Sequence, residues 1–218
     1  MKIAIISANL GGYEIEVPWT PQVVPGALVT IYRLTDATCP PRYKAMLPSL
    51  QCGIAKMFGW QLFPGHDVYI WIDASRGLLR PDTAAWFCHQ ADGADLLLFR
   101  HPERATVREE YEFVRAKLEA GSRYLTKRYA GEWLEDQYAA VRYRPDATLY
   151  ASTAFLYRPT SVIRALLKDW WYHKTRYLLH DQIALPSLVE TARALGAQVK
   201  VIDDSVYACA HLPMTRIR

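Results

Sequence analysis

Apolar positions along this chain alternate between short dense runs and longer stretches where they recur every three or four residues. The short apolar-rich runs are Lys2–Ala8, Ala27–Leu34, Asp67–Ile72, Ala94–Phe99, Thr148–Leu156 and Gln198–Ile202. Apolar-rich runs of this length predict strands, and Asp67–Ile72, apolar almost throughout after Asp67, predicts one covered on both faces. Between them, helical spacing predicts helices over Arg42–Phe58, Pro81–Gln90, Ala105–Ala120, Arg123–Val141, Thr160–Leu178 and Gln182–Leu195. Met46, Leu47, Leu50, Ile54 and Met57 form the stripe of the first, where Pro48 would remove an internal hydrogen bond and kink the run. Gly11-Gly12 and the later Pro18, Pro21, Pro25 and Gly26 break up the segment after the first strand. Strands alternating with helices predict an α/β fold, a mostly parallel central sheet flanked by helices. No repeat or low-complexity stretch interrupts the pattern, so residues 1–218 are expected to form a single domain.

Composition narrows this a little. The chain has 218 residues, 51% of them hydrophobic, enough for one well-buried core. A net charge of +4 suits a protein that handles phosphorylated ligands or touches nucleic acid, and equally an ordinary basic surface. Cys39, Cys52, Cys88 and Cys209 are scattered without metal-like spacing, which points to reduced thiols. The apolar run after Met1 is too brief for a signal-peptide core and far below a membrane span. A cytoplasmic protein without a membrane segment is expected.

In open α/β sheets, ligands bind at the carboxyl ends of strands. Asp73 ends the run Val68–Ile72 and is followed by the small residues Ala74 and Ser75, then Arg76. A carboxylate there can share a divalent cation with substrate phosphates, and Arg76 can pair with phosphate oxygens. A turn-forming aspartate explains the position as well. Asp181 falls at an expected helix start, where the dipole would hold it ionised; so fixed, it can cap the helix or deprotonate a hydroxyl. His101 follows a strand and can face the same edge or serve structure. Glu109 and Glu110 open a charged helix, where solvated or salt-bridged roles fit best. Trp170-Trp171-Tyr172 can stack on a sugar, although helical spacing with Leu166 and Leu167 favours a core face. Arg123, Lys127, Arg128, Arg142 and Arg144, interleaved with tyrosines, suit nucleic acid or a solvated helical face.

Four segments in order carry a resemblance: Arg42-Tyr43-Lys44 with Leu47-Pro48; His66 to Asp73; His101-Pro102-Glu103-Arg104 with Glu109-Glu110; and His180-Asp181-Gln182. From Arg42 to Asp203 the chain resembles a glycosyltransferase-like domain family, first known as a domain of unknown function in plant cell-wall, pectin-related and bacterial proteins. It is more remotely similar to glycogenin-like transferases of the GT-A, Rossmann-like fold. The resemblance implies a sugar transfer from a nucleoside diphosphate sugar, a UDP-sugar first, to an unknown acceptor hydroxyl on a glycan or a modified nucleic-acid base. It also implies Mn2+ or Mg2+ held by Asp73, with His211 completing the metal site. Ser75 stands where a second aspartate would be expected. Lys44, Asp73, Ser75, Arg76 and His101 would contact the donor, Ser152, Thr153 and Gln182 would line the acceptor side, and Asp181 would be catalytic. The same resemblance admits an inactive nucleotide-sugar-binding domain. Glycoside hydrolysis fits less well, because no carboxylate pair stands out.

Overall fold

A computed structural model describes residues 1–42, 44–141, 146–177 and 180–215. Six strands form one sheet: β1 (Lys2–Asn9), β2 (Leu28–Thr35), β3 (Val68–Ile72), β4 (Leu96–Arg100), β5 (Tyr150–Tyr157) and β6 (Val199–Ile202). Their order is β2-β1-β3-β5-β4-β6. β1 is parallel to β2 and β3, and β4 is parallel to β6, whereas β5 runs antiparallel to both β3 and β4. The sheet is therefore mixed: five strands share one direction and β5 is reversed. That reversal brings the start of β5 to the rim where the others end.

Period-two alternation divides the sheet side chains between two cores. Ala4, Ile6, Tyr69, Trp71, Leu98, Phe155 and Tyr157 face one side with Met57, Leu167, Trp170 and Val189. These partners come from α1 (Pro48–Leu62), α6 (Ser161–Arg176) and α7 (Leu185–Ala194). Ile3, Ile5, Ile70, Leu97 and Leu156 face the other side with Phe87 of α2 (Thr83–Ala91) and with Val206 and Leu212 of the closing segment. A third cluster gathers Val107, Tyr111 and Val114 of α3 (Val107–Glu119), Leu125 and Tyr129 of α4 (Arg123–Tyr129), and Leu134 and Val141 of α5 (Leu134–Val141) around Ile183. No described helix is long and apolar enough to cross a membrane.

Several expected boundaries shift for local reasons. Pro48 lies at the start of α1, where its missing N–H costs nothing, so it begins the helix and does not kink it. The kink falls instead at Phe58, with φ −119° and ψ 22°. The expected helix Arg123–Val141 is two helices, separated at Gly131 with φ +81°. The last helix starts at Leu185, not at Gln182, with Pro186 in its first turn, so Asp181 does not cap it. α3 and α6 carry the hydroxyl caps that their sequences advertise, Thr106 and Thr160. Tyr43, Arg142, Tyr143, Arg144 and the helix end at Leu178 lie outside the described residues.

α1 lies close against β1 at Gly59, where a Cβ would stand 2.3 Å from Ile6 Cδ1 and 3.2 Å from the Tyr157 hydroxyl. Ile6 is 2% exposed, so its side chain would have to shift within the core. Gly59→Ala is therefore expected to destabilise the fold by about 1–3 kcal/mol, the usual cost of overpacking, as read by urea denaturation.

Candidate functional site

At the carboxyl rim of the sheet, two carboxylates and two ammonium groups are drawn together. Asp73 follows β3, its backbone N–H donating to Thr153 O at 2.8 Å. Asp181 lies in the turn before α7. Lys56 from α1 reaches between them, 2.9 Å from Asp181 Oδ2 and 3.8 Å from Asp73 Oδ1. Lys174, from the last turn of α6, stands 3.7 Å from Asp181 Oδ2. Ser152 on β5 donates to Asp181 Oδ1 at 2.8 Å, and Trp71 Nε1 donates to Asp73 Oδ1 at 2.7 Å. The Lys56 ammonium also lies 5.8 Å from the Trp71 ring centroid and 5.4 Å from that of Trp170. Trp170 Nε1 donates to the Asp181 carbonyl at 2.6 Å, which fixes the turn carrying the carboxylate.

The cluster is deep on one side and open on the other. Side-chain exposure is 7% for Lys56, 8% for Lys174 and 13% for Asp181, but 37% for Asp73. Gly53 makes room for the Lys174 stem: a Cβ there would sit 2.9 Å from Lys174 Cε. Burial pulls Lys56 down, yet Asp181 and Asp73 outweigh it and hold the ammonium above its ordinary range. Burial would raise Asp181, but Lys56 and Lys174 hold it well below the ordinary carboxylate range. Desolvation raises Asp73 against the pull of Lys56, with Asp181 adding to the rise. Burial lowers Lys174, partly offset by Asp181.

A second buried network adjoins the first through His180. His180 Nε2 lies 2.6 Å from Glu110 Oε1, and its Nδ1 lies 3.1 Å from the Tyr129 hydroxyl. Arg104 pairs with the other Glu110 oxygen. Of the two glutamates that open α3, Glu110 is thus the buried one, while Glu109 Oε2 accepts from the Ala105 N–H at 2.7 Å. His101 is buried and its Nδ1 accepts from the N–H groups of Glu103 and Arg104, at 3.3 and 3.1 Å. That leaves the neutral ring shaping its own loop, in keeping with a pKa lowered by burial.

Of the residues expected at the site, Asp73, Asp181 and Ser152 meet in one cluster, and Thr153 contributes its carbonyl. Ser75 and Arg76 follow Asp73, clamped by the closing segment: Thr215 N–H donates to Ser75 O at 3.0 Å, and Gly77 N–H to Pro213 O at 2.8 Å. Arg76 is 2% exposed, its Nη1 donating to Leu212 O at 3.3 Å beneath the Tyr207 ring. It adds positive charge near Asp73 but offers no open face to a ligand. Lys44 stands exposed in the turn before α1, without an ion pair among the described residues, and Gln182 is half-buried. His211 stacks on Trp86 with centroids 4.7 Å apart, its Nδ1 3.9 Å from Asp82 Oδ1, and does not join the groups around Asp73. Trp170 is core, as its spacing predicts, while Tyr172 is exposed. The sequence motifs do not single out Lys56 and Lys174, although each is a lone lysine on an otherwise buried helix face.

Beside the cluster, at the ends of β1 and β2, Ser7, Asn9, Trp19, Arg33 and Ala74 line a nearly filled recess. Arg33 lies 5.0 Å from the Trp19 ring centroid. The chain Tyr13–Trp19 passes here, anchored by Asn9, whose side chain bonds both the N–H and the carbonyl of Glu14. No family model matches this sequence, and no curated protein matches it.

The charges gathered around Asp73 balance one another without any added ion. Among the described residues no group of three or more His, Cys, Asp and Glu is gathered to hold one. The two carboxylates that do converge are already neutralised by two ammonium groups. Mg2+ and Mn2+ take oxygen ligands, commonly one or two carboxylates shared with substrate phosphates.

Glu110 ties this region to pH. Burial opposes its charge, but the His180 hydrogen bond and Arg104 bring its pKa from 4.5 down to about 2. A depressed folded-state pKa means the stabilisation is complete above pH 4.5 and is lost as pH falls towards 2. Its size is on the order of 3 kcal/mol. Urea denaturation is expected to show Glu110→Gln less stable than the parent at pH 7, with the gap narrowing through this acid window.

Proposed function

We propose that this protein binds nucleoside diphosphate sugars and transfers the sugar to an acceptor hydroxyl, on a GT-A-like arrangement of strands. The observation that carries this reading is the Lys56–Asp73–Asp181–Lys174 cluster at the strand ends, beside the recess at β1 and β2. Strand ends are where open α/β sheets receive ligands. A sheet with one reversed strand between β3 and β4 agrees with the fold that the resemblance implies.

In this reading the nucleoside lies against the β1–β2 ends once the Tyr13–Trp19 chain moves aside, and the diphosphate lies towards Asp73. Asp73 Oδ2 has no hydrogen-bond partner among the described residues and belongs to the most exposed side chain of the cluster, so it is placed to accept a donor hydroxyl. Positive charge fixed nearby by Lys56, Lys174 and Arg76 stabilises the departing diphosphate without having to reorganise. Ser152 and Asp181 act one step back: they orient the lysines. Asp181 is held too firmly ionised to be an efficient general base, since proton transfer works best with a pKa near the operating pH.

That last point favours a second reading, a nucleotide-sugar-binding domain without turnover. Product analysis across a panel of UDP-, GDP- and CMP-sugars with glycan and nucleic-acid acceptors separates the two, because the binding domain retains donor and releases none. For both, Asp73→Ala is expected to weaken donor binding about 10- to 100-fold, the worth of a charged hydrogen bond. Calorimetry measures this directly, and unchanged donor affinity in the variant would remove Asp73 from the site.

A further inference from the structure

We propose that Lys56 occupies the position of a divalent cation at this site, so that the protein recognises a nucleoside diphosphate without metal. The inference rests on the donor-binding reading and specifies its chemistry.

A metal ion held between strand-end carboxylates does two things: it offsets their charge, and it presents positive charge to the diphosphate. Both are already supplied by the chain. The Lys56 ammonium sits between Asp73 and Asp181, at 3.8 and 2.9 Å, with the Trp71 and Trp170 rings 5.8 and 5.4 Å away. Ser152 takes the second oxygen of Asp181, and Trp71 Nε1 takes Oδ1 of Asp73. An incoming ion would have to displace Lys56, which would leave a buried ammonium without its counter-ions. The wider surroundings agree in sign. Lys174 stands behind Asp181, Arg76 lies within the field of Asp73, and Arg128 lies within the field of Lys174. Three basic side chains, Lys56, Lys174 and Arg76, thus act on the two carboxylates, a balance that repels a second cation and attracts an anion.

The position of Lys56 is built by the fold. α1 presents it from the helix face that also carries Gly53 and Gly59, the two glycines that let Lys174 and Ile6 come close. Its stem is buried with that face, so only its head has polar company. A permanent cation held this way needs no metal supply and cannot be removed by a chelator.

The test uses the full-length protein and UDP as probe, with GDP and CMP as alternates. Calorimetric titration is run in EDTA and again with Mn2+, and Mn2+ binding to the nucleotide-free protein is followed by electron paramagnetic resonance. We expect the two nucleotide affinities to agree within about twofold and Mn2+ to show no saturable site. Lys56→Met, which keeps the stem and removes the charge, is expected to weaken UDP binding in EDTA by at least about tenfold and to create a Mn2+ signal. Nucleotide binding that requires Mn2+, or a saturable Mn2+ site in the unmodified protein, would overturn the inference and leave the donor-binding reading standing. UDP affinity in EDTA unchanged by Lys56→Met would overturn it too. If the probe nucleotides bind in neither condition, the donor-binding reading falls and takes this inference with it. The comparison in EDTA and Mn2+ needs no variant, so it decides the matter even if Lys56→Met does not fold.

Discussion

Charges taken out of water must neutralise one another, and at the rim of this sheet that requirement organises the surrounding structure. Lys56 and Asp181 are 125 residues apart in sequence and 2.9 Å apart in space. To satisfy them, α1 must lie on the sheet with its glycine face inward. The turn before α7 must fold back to the rim, and β5 must present Ser152 there. α6 is bound to the same point twice, through Lys174 and through the Trp170 indole. A buried pair of this kind adds little net stability over an apolar replacement, yet losing one partner is costly, on the order of 3–5 kcal/mol. The groups that would recognise a ligand are therefore also the groups that fix how the elements meet.

The second network extends this logic outward. His180 precedes Asp181 and is held by Glu110 and Tyr129, so the turn is gripped on both sides. α3 and α4 are thereby tied to the rim by polar contacts, while Val107, Tyr111, Leu125 and Tyr129 bury their own apolar faces against Ile183. A disturbance in either helix reaches the turn that carries Asp181 through the hydrogen bonds on His180.

Much of the sheet could be read from sequence, because a strand buried on both faces announces itself as an apolar-rich run. Its direction does not: nothing in Tyr150–Tyr157 distinguishes a reversed strand from a parallel one, and the reversal is settled only by pairing with β3 and β4. Pro48 and Pro186 are both first-turn prolines, a signal that would have placed two helix starts correctly. At the site, Asp73 was visible because chemistry at strand ends is a local pattern. Lys56 and Lys174 were not, because their partners lie on other elements. Lys174 follows Leu167 and Trp170 on one buried stripe, and a charge on such a stripe is itself the clue. His101, Arg76 and His211 have residue types suited to ligands, and each is engaged by its own loop, carbonyl or aromatic neighbour. Residue type alone cannot reveal that.

The reversed strand has one more consequence. β4 ends at the rim and β5 begins there, with Arg100 paired to Tyr150 and a further bridge between Thr106 and Thr148. The described residues between them, α3 to α5 included, leave the sheet and rejoin it at this paired rim. Such an excursion is a cassette. Its outer parts can be lengthened or trimmed without asking any strand to change neighbours, as long as Glu110 and Tyr129 keep their hold on His180. The sheet, the recess and the lysine-bearing helix would stay constant while this cassette varied beside them. New partners could then be met on the outer face of this excursion, while its inner face went on holding the turn that carries Asp181.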